Sequence, residues 1–444
     1  MLWTVRYFRD SQNEEYMVIL TADGALHSIH HTVDEKTAGA NLSREDAQRR
    51  AENFLRERKN VNLADWNLVE SHTDKKPART DHIFVWEQEA ALDSAPSGQG
   101  AHIRMQMKVI GDEISSYRIF IQIPEAWRDA EKRSTPAQSA QLFGLVACIG
   151  LAVIAALVIF FRELRGPQVA RVPWIFLGKL SVVLLLAGIA VSVNKFPELL
   201  MNYTTAWPLV TFYTTLSIGM LFIAAMYTSG GVILLGFAWF FLERAFGPGC
   251  IPSWRNANAA YFRDAVCLGV FGSAALMGLS RIPALFARWP LLHHSLEASV
   301  PEGLDALNPA IGAAGSAIVA AFLMVGALGI VAGLIAAYVR PAWLRAALLI
   351  LFSILLTTNV AAPGSFFREA AFHLFTITAV WFGITRLVRF NVLGYFLIAA
   401  TVALASPAAE LLRQPNPYFR ANGYAVIVAA LAMLAWPLMR RRPQ

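Results

Sequence analysis

The chain has 444 residues, 56% of them hydrophobic and 16% charged, with a mean hydropathy of +0.46. So little charge beside so much apolar surface excludes an ordinary soluble enzyme and fits a membrane protein. The net charge of +7 does not point to nucleic acid, because the basic residues form no stripe and cluster at the ends of apolar runs.

Residues 1–135 read as a small soluble α+β domain. Trp3, Val5 and Tyr7 alternate with polar residues, and strands are expected at 16–21 and 26–32, flanking the turn signal Asp23-Gly24. Ser43 is a suitable helix N-cap with Asp46 three residues on, and Ala47, Ala51, Phe54 and Leu55 make an apolar stripe at helical spacing. Later strands are expected at 67–72, 82–88, 103–110 and 114–123, the last two joined by Gly111-Asp112, with a loop at 94–100. His27, His30, His31, His72, His82 and His102 follow no metal-ligand spacing, and the first three lie on a strand and its exit, where they are expected to face solvent.

Residues 136–444 read as a multi-pass helical bundle. Apolar runs cover 139–161, 172–193, 207–242, 265–286, 311–339, 343–360, 371–387, 392–408 and 424–439. A crossing takes about 20 residues, so 207–242 is too long for one and short for two. Gly230-Gly231 is the expected break, and the count is nine or ten helices. Arginine-rich flanks (162–171, 244–263, 340–345, 386–389 and 440–442) are expected in the cytoplasm. One crossing by 207–242 then places the soluble domain outside, and two place it inside. No signal peptide precedes Trp3, which favours inside, yet the chain opens directly on a strand, as if a membrane helix were missing upstream; outside is the expectation on balance. Small residues four apart (Gly312, Ser316, Ala320; Gly329, Gly333, Ala337) suit close helix packing in lipid.

Ionisable residues at membrane depth are the natural candidates for chemistry. Glu369 and His373, four apart on one helical face, could ligate a metal or relay a proton, or else hydrogen-bond within the bundle. Lys179 can snorkel to the interface, whereas Arg281 needs a partner or a water path. Together these two would serve a transporter. Glu243-Arg244 reads as an interfacial ion pair, and His293-His294 with Glu297, Glu302 and Asp305 as a polar loop of no recognised ligand spacing. Gly315-Ser316 lacks the second glycine of a rhomboid-type serine motif, since Ala317 follows. No Walker lysine, dinucleotide fingerprint or haem-attachment motif is present. Cys148, Cys250 and Cys267 form no Cys-x-x-Cys pair, which excludes a disulfide scaffold and a structural zinc site.

The helix at 42–47, followed by Ala51 and Phe54-Leu55 and packed on an antiparallel sheet, resembles PepSY-type domains, which are small extracytoplasmic modules. With the many helices that follow, Leu242-Glu243-Arg244-Ala245-Phe246, Val388-Arg389-Phe390-Asn391-Val392-Leu393, Leu411-Leu412-Arg413-Gln414-Pro415-Asn416 and Phe419-Arg420-Ala421-Asn422-Gly423, the plan resembles the CPBP (CAAX protease and bacteriocin-processing) proteins. The resemblance implies a bacterial plasma-membrane protein and, if an enzyme, a glutamate-dependent intramembrane peptidase. Active members need a Glu-Glu-x-x-x-Arg motif and histidine motifs on membrane helices. Here the adjacent Glu14-Glu15 lie in the soluble domain, and Glu369 stands where a phenylalanine should precede His373. The expectation is therefore a non-catalytic member, with a lipid-embedded bundle and a domain that binds a peptide or membrane-protein partner. Cofactor and metal content are not specified by the sequence.

Overall fold

The computed structural model describes residues 2–21, 23–88, 101–125, 128–129, 136–253, 256–287, 303–357 and 363–439. Two compact units emerge. One joins Met1–Ser134 to Met201–Leu216, and the other joins Thr135–Leu200 to Ser217–Gln444.

In the first unit, β1 (Leu2–Phe8), β2 (Glu15–Thr21) and β3 (Leu26–Thr32) form a meander, followed by helix α1 (Arg44–Lys59). A second meander then runs through β4 (Trp66–Lys75), β5 (Thr80–Gln88), β6 (His102–Ile110) and β7 (Glu113–Gln122). Ile29 opposite Tyr117 joins the two meanders into one antiparallel sheet of order β1-β2-β3-β7-β6-β5-β4. Turn chemistry sets the hairpins: Gly24 (φ +85°) and Gly111 (φ +58°) take left-handed conformations. Gly111 is also pinned by space, since a Cβ there would lie 2.9 Å from the Ala40 amide.

The Ser43 hydroxyl accepts from the Asp46 amide at 3.1 Å, which starts α1 where the sequence expects it. The helix buries Ala47, Ala51 and Leu55 on Phe84, Trp86, Met105, Met107 and Tyr117. Burying Leu55 alone contributes about 1.5–3 kcal/mol. Burial also pushes the Tyr117 hydroxyl up to about 12, so Lys59, 4.7 Å above that ring, meets a neutral phenol.

The second unit is a helical bundle. Its long helices are α2 (Pro136–Arg162), α3 (Trp174–Asn194), α4 (Leu209–Phe246), α5 (Ala259–Ala287), α6 (Pro309–Tyr338), α7 (Ala342–Leu355), α8 (Pro363–Phe382), α9 (Val392–Leu412) and α10 (Pro417–Ala435). The first eight residues of α4, Leu209 to Leu216, belong to the sheet unit. Among the described residues eight helices are long and apolar enough to cross a membrane. The chain is thus an integral membrane protein by architecture. The remaining apolar helix, α7, has 14 residues. That is about 21 Å of helix, short of a hydrocarbon core of about 30 Å.

Helix α4 is continuous over 38 residues, so the expected break at Gly230-Gly231 does not occur. Gly231 instead admits Leu184 of α3, whose Cδ2 would lie 2.5 Å from a Cβ. The second small-residue ridge behaves as expected: Gly329 and Gly333 of α6 meet Ala238 and the Phe241 backbone of α4. The first is shifted. Gly312 and Gly315 face Asn194 and Val191 of α3, while Ser316 is exposed.

Candidate functional site

Glu369 and His373 come together on α8 as their spacing requires, with Nε2 and Oε1 3.5 Å apart and both side chains about a quarter exposed. Among the described residues no group of three His, Cys, Asp or Glu side chains could hold a metal ion, there or elsewhere. Lys179 is exposed on α3, and Arg281 is exposed on α5, within Ala259–Ala287 as expected. His293, His294, Glu297 and Glu302 lie outside the described residues.

Sequence reasoning misplaced Glu243. It forms no ion pair with Arg244, which reaches Glu163 at 3.8 Å and stacks over Tyr338. Glu243 itself is 4% exposed, in the last turn of α4. Four residues earlier on the same face, the Trp239 indole donates to its Oε1 at 3.2 Å. Its Oε2 is buried without a hydrogen-bond partner. Leaving a buried carboxylate oxygen unpaired is costly, which makes Glu243 a candidate for function. The Gly249 backbone N–H donates to the Glu243 carboxyl, and the Arg171 charge acts on it. Beyond the helix end, Cys250 is pushed up to about 11 by burial and by the Glu243 charge, and so stays a thiol.

A second irregularity converges on this place. Helix α8 runs into a π-helical turn, Gly383–Val388, which ends in Arg389 at φ +49°. A left-handed arginine is strained, and π turns recur at functional sites. The strain is held by the Tyr395 hydroxyl, which donates to the Arg389 carbonyl at 2.9 Å, and the guanidinium stacks on Phe246 at 5.8 Å. The C-terminal end of α8 therefore lies beside the C-terminal end of α4. Glu369, twenty residues before Arg389, is about 30 Å up the helix and cannot join Glu243 in one centre.

An apolar cavity of about 390 Å³ adjoins Glu243 through Trp239, which is part of its wall. Leu180, Ile251, Phe322 and Phe396 contribute to the rest, so α3, α6, α9 and the segment after α4 all shape it.

The motifs behind the family resemblance act largely as helix caps. Asn391 accepts from the Gly394 amide at 2.9 Å and donates to the Tyr261 carbonyl at 3.2 Å. Asn416 caps α10 through the Tyr418 amide at 2.9 Å, and Asn422 accepts from the Ala310 amide at 3.1 Å.

In the sheet unit, His31 is buried rather than facing solvent. Its Nδ1 lies 2.9 Å from Glu113, its Nε2 3.1 Å from Glu14, and its ring stacks on Tyr16 at 3.8 Å. Opposite nitrogens hold the two carboxylates apart, which ties β3 to the start of β7 and does not make a metal site. His82 is equally buried, with Nε2 donating to the Leu42 carbonyl at 3.1 Å and Nδ1 accepting from Thr73 at 3.0 Å.

No protein-family model, curated protein or solved structure matches the chain.

Proposed function

We propose that this is a multi-pass plasma-membrane protein of CPBP-like plan, without protease chemistry, whose PepSY-like sheet domain binds an extended peptide or protein partner outside the cytoplasm. The observation that carries the reading is edge strand β1. Its register with β2 aligns Trp3, Val5 and Tyr7 with Leu20, Val18 and Tyr16 on one face. Through Val18 opposite Ile29 and Ile29 opposite Tyr117, that is the face on which α1 packs. Helix α1 packs on β5 and β6, and Trp3, Val5 and Tyr7 stay 44%, 37% and 63% exposed. The opposite face of β1 is occupied: Arg6 donates to the Met201 carbonyl at 3.0 Å, and Phe8 packs on Tyr203. An edge strand with an apolar row beside it suits strand addition, in which main-chain bonds give affinity and the row gives specificity.

A photo-crosslinking amino acid at Tyr7 should give a discrete adduct in cells, and the same group at exposed Glu57 on α1 should not. Trp3→Ala should weaken the Tyr7 adduct several-fold. Equal crosslinking at both positions would remove the partner reading. Cleavage of a membrane peptide by the purified protein, lost in Glu369→Ala or His373→Ala, would instead establish an intramembrane peptidase.

A further inference from the structure

We propose that the partner at the β1 edge is a second copy of this chain, paired β1 to β1 in antiparallel register about Val5, an inference that rests on the strand-addition reading. The two edges of the sheet differ. Outer strand β4 carries Glu70, His72, Asp74 and Lys75, and its register with β5 shifts between Leu68 and Glu70. Charges and a bulge are the devices that keep an edge strand from pairing. Strand β1 has neither. Its register with β2 is unbroken from Leu2 to Phe8, and its one charged residue, Arg6, is already paired with Glu15 of β2. Among the described residues no strand lies on the outer side of β1.

The residue pattern of β1 names the partner. Leu2-Trp3-Thr4-Val5-Arg6-Tyr7-Phe8 has the same order of residue classes in both directions, namely large apolar, aromatic, polar and β-branched, then back again. Two identical surfaces meet only if they are self-complementary, since residue i meeting j requires j to meet i. Turned about Val5, Trp3 stands opposite Tyr7 twice, Leu2 opposite Phe8 twice, and Val5 opposite itself. Aromatic and β-branched pairs of this kind stabilise an antiparallel ladder. The exposed rows of Trp3, Val5 and Tyr7 from both copies then join on the face where α1 packs. Register is also fixed by charge. Centred on Val5, Arg6 stands opposite Thr4; centred on Arg6, the two guanidiniums oppose each other; centred on Thr4, Arg6 meets Leu2.

The test uses the full chain in its membrane, in a background lacking Cys148, Cys250 and Cys267. Val5→Cys should give a disulfide-linked dimer on mild oxidation, because opposite strand residues lie within disulfide reach. Glu57→Cys, exposed on α1, should stay monomeric. Trp3→Cys alone should stay monomeric too, since its two copies lie about 13 Å apart along the strands, and it should crosslink when mixed with Tyr7→Cys. With no variant to misfold, subunit counting by single-molecule photobleaching in dilute lipid vesicles should find wild-type pairs. Val5→Lys should raise dissociation by up to about fivefold, the scale of one opposed like-charge pair, and mixing it with Val5→Glu should restore pairing. Single wild-type subunits, or Val5→Cys that crosslinks no more than Glu57→Cys, would overturn the second copy as partner. A Tyr7 photo-adduct with a different protein alone would overturn it too, while keeping the strand-addition reading. No Tyr7 adduct at all would remove both.

Discussion

Arg79 and Asp81 show how much a single buried pair can carry in the sheet unit. Their side chains are 3% and 2% exposed and meet at 2.9 Å, and Arg79 also donates to the carbonyls of Asp34 and Thr37. Asp81 keeps its Oδ2 without a partner. Removing the guanidinium would leave a buried carboxylate uncompensated, a loss of about 3–5 kcal/mol. Arg79→Met should therefore unfold or strongly destabilise the sheet, seen as lost amide protection in β5 and β6. The pair Arg79→Met with Asp81→Leu should recover a large part of that stability, because it removes the desolvated charge as well as its partner. A double variant as unstable as the single would show that the backbone contacts of Arg79, not the charge pair, matter. This pair was not legible in the sequence, and neither was the burial of His31. Both depend on register between segments far apart in the chain, such as Glu113 reaching His31 across 82 positions.

Helix starts and helix contacts hold the next level. Asp10, in the loop after β1, accepts from the Leu209 amide at 2.7 Å and lies 3.1 Å from the Tyr203 hydroxyl, so it caps α4 from a distant part of the sequence. The Leu209 amide bond holds the Asp10 carboxyl below its ordinary value. A carboxyl lowered in the folded state contributes stability above its unfolded pKa, about 3.9, and loses it as pH falls through the folded value. Amide protection at Leu209 should accordingly drop as pH is lowered below about 4. Asp10→Asn should weaken it at neutral pH and flatten the pH dependence; a dependence retained in that variant would place its origin elsewhere. On the other side of α4, Gly231→Leu would drive a side chain into Leu184, and overpacking of that kind costs about 1–3 kcal/mol. Gly230→Ala, which meets open space, should be tolerated, and thermal unfolding in detergent compares the two. That contrast explains what could be read in advance. Strands and α1 follow from alternation, turn dipeptides and a cap, all local signals. A glycine pair inside an apolar run signals a break or a close contact equally, and only the facing Leu184 decides between them. Glu243 was misread for the same reason, since its neighbour Arg244 is turned away toward Glu163.

At the scale of the whole chain, the unbroken α4 governs which compartment each connection occupies. The eight long apolar helices and α7, whose about 21 Å crosses only where the bilayer thins around it, give nine crossings. Counting from the sheet unit, the connections near Arg162–Arg171, Arg244–Arg263, Arg340–Arg345 and Arg386–Arg389 then all fall on one side, and 195–208 and 413–416 on the other. A break in α4 would have scattered the arginines over both sides, against the bias of cytoplasmic loops toward positive charge. The sheet unit contains Met201–Leu216 as well as the strands, so the 201–208 connection must share its compartment, and the count agrees. The count fits the extracytoplasmic placement of the sheet that we propose. In a background lacking Cys148, Cys250 and Cys267, a cysteine at exposed Gln12 should react with a membrane-impermeant maleimide in cells whose plasma membrane is exposed but intact. A cysteine at exposed Pro248, between α4 and α5, should react only after the membrane is opened. The reverse pattern would put the β1 edge in the cytoplasm and remove any outside partner. Labelling of both sites in sealed cells would mean that α4 does not cross.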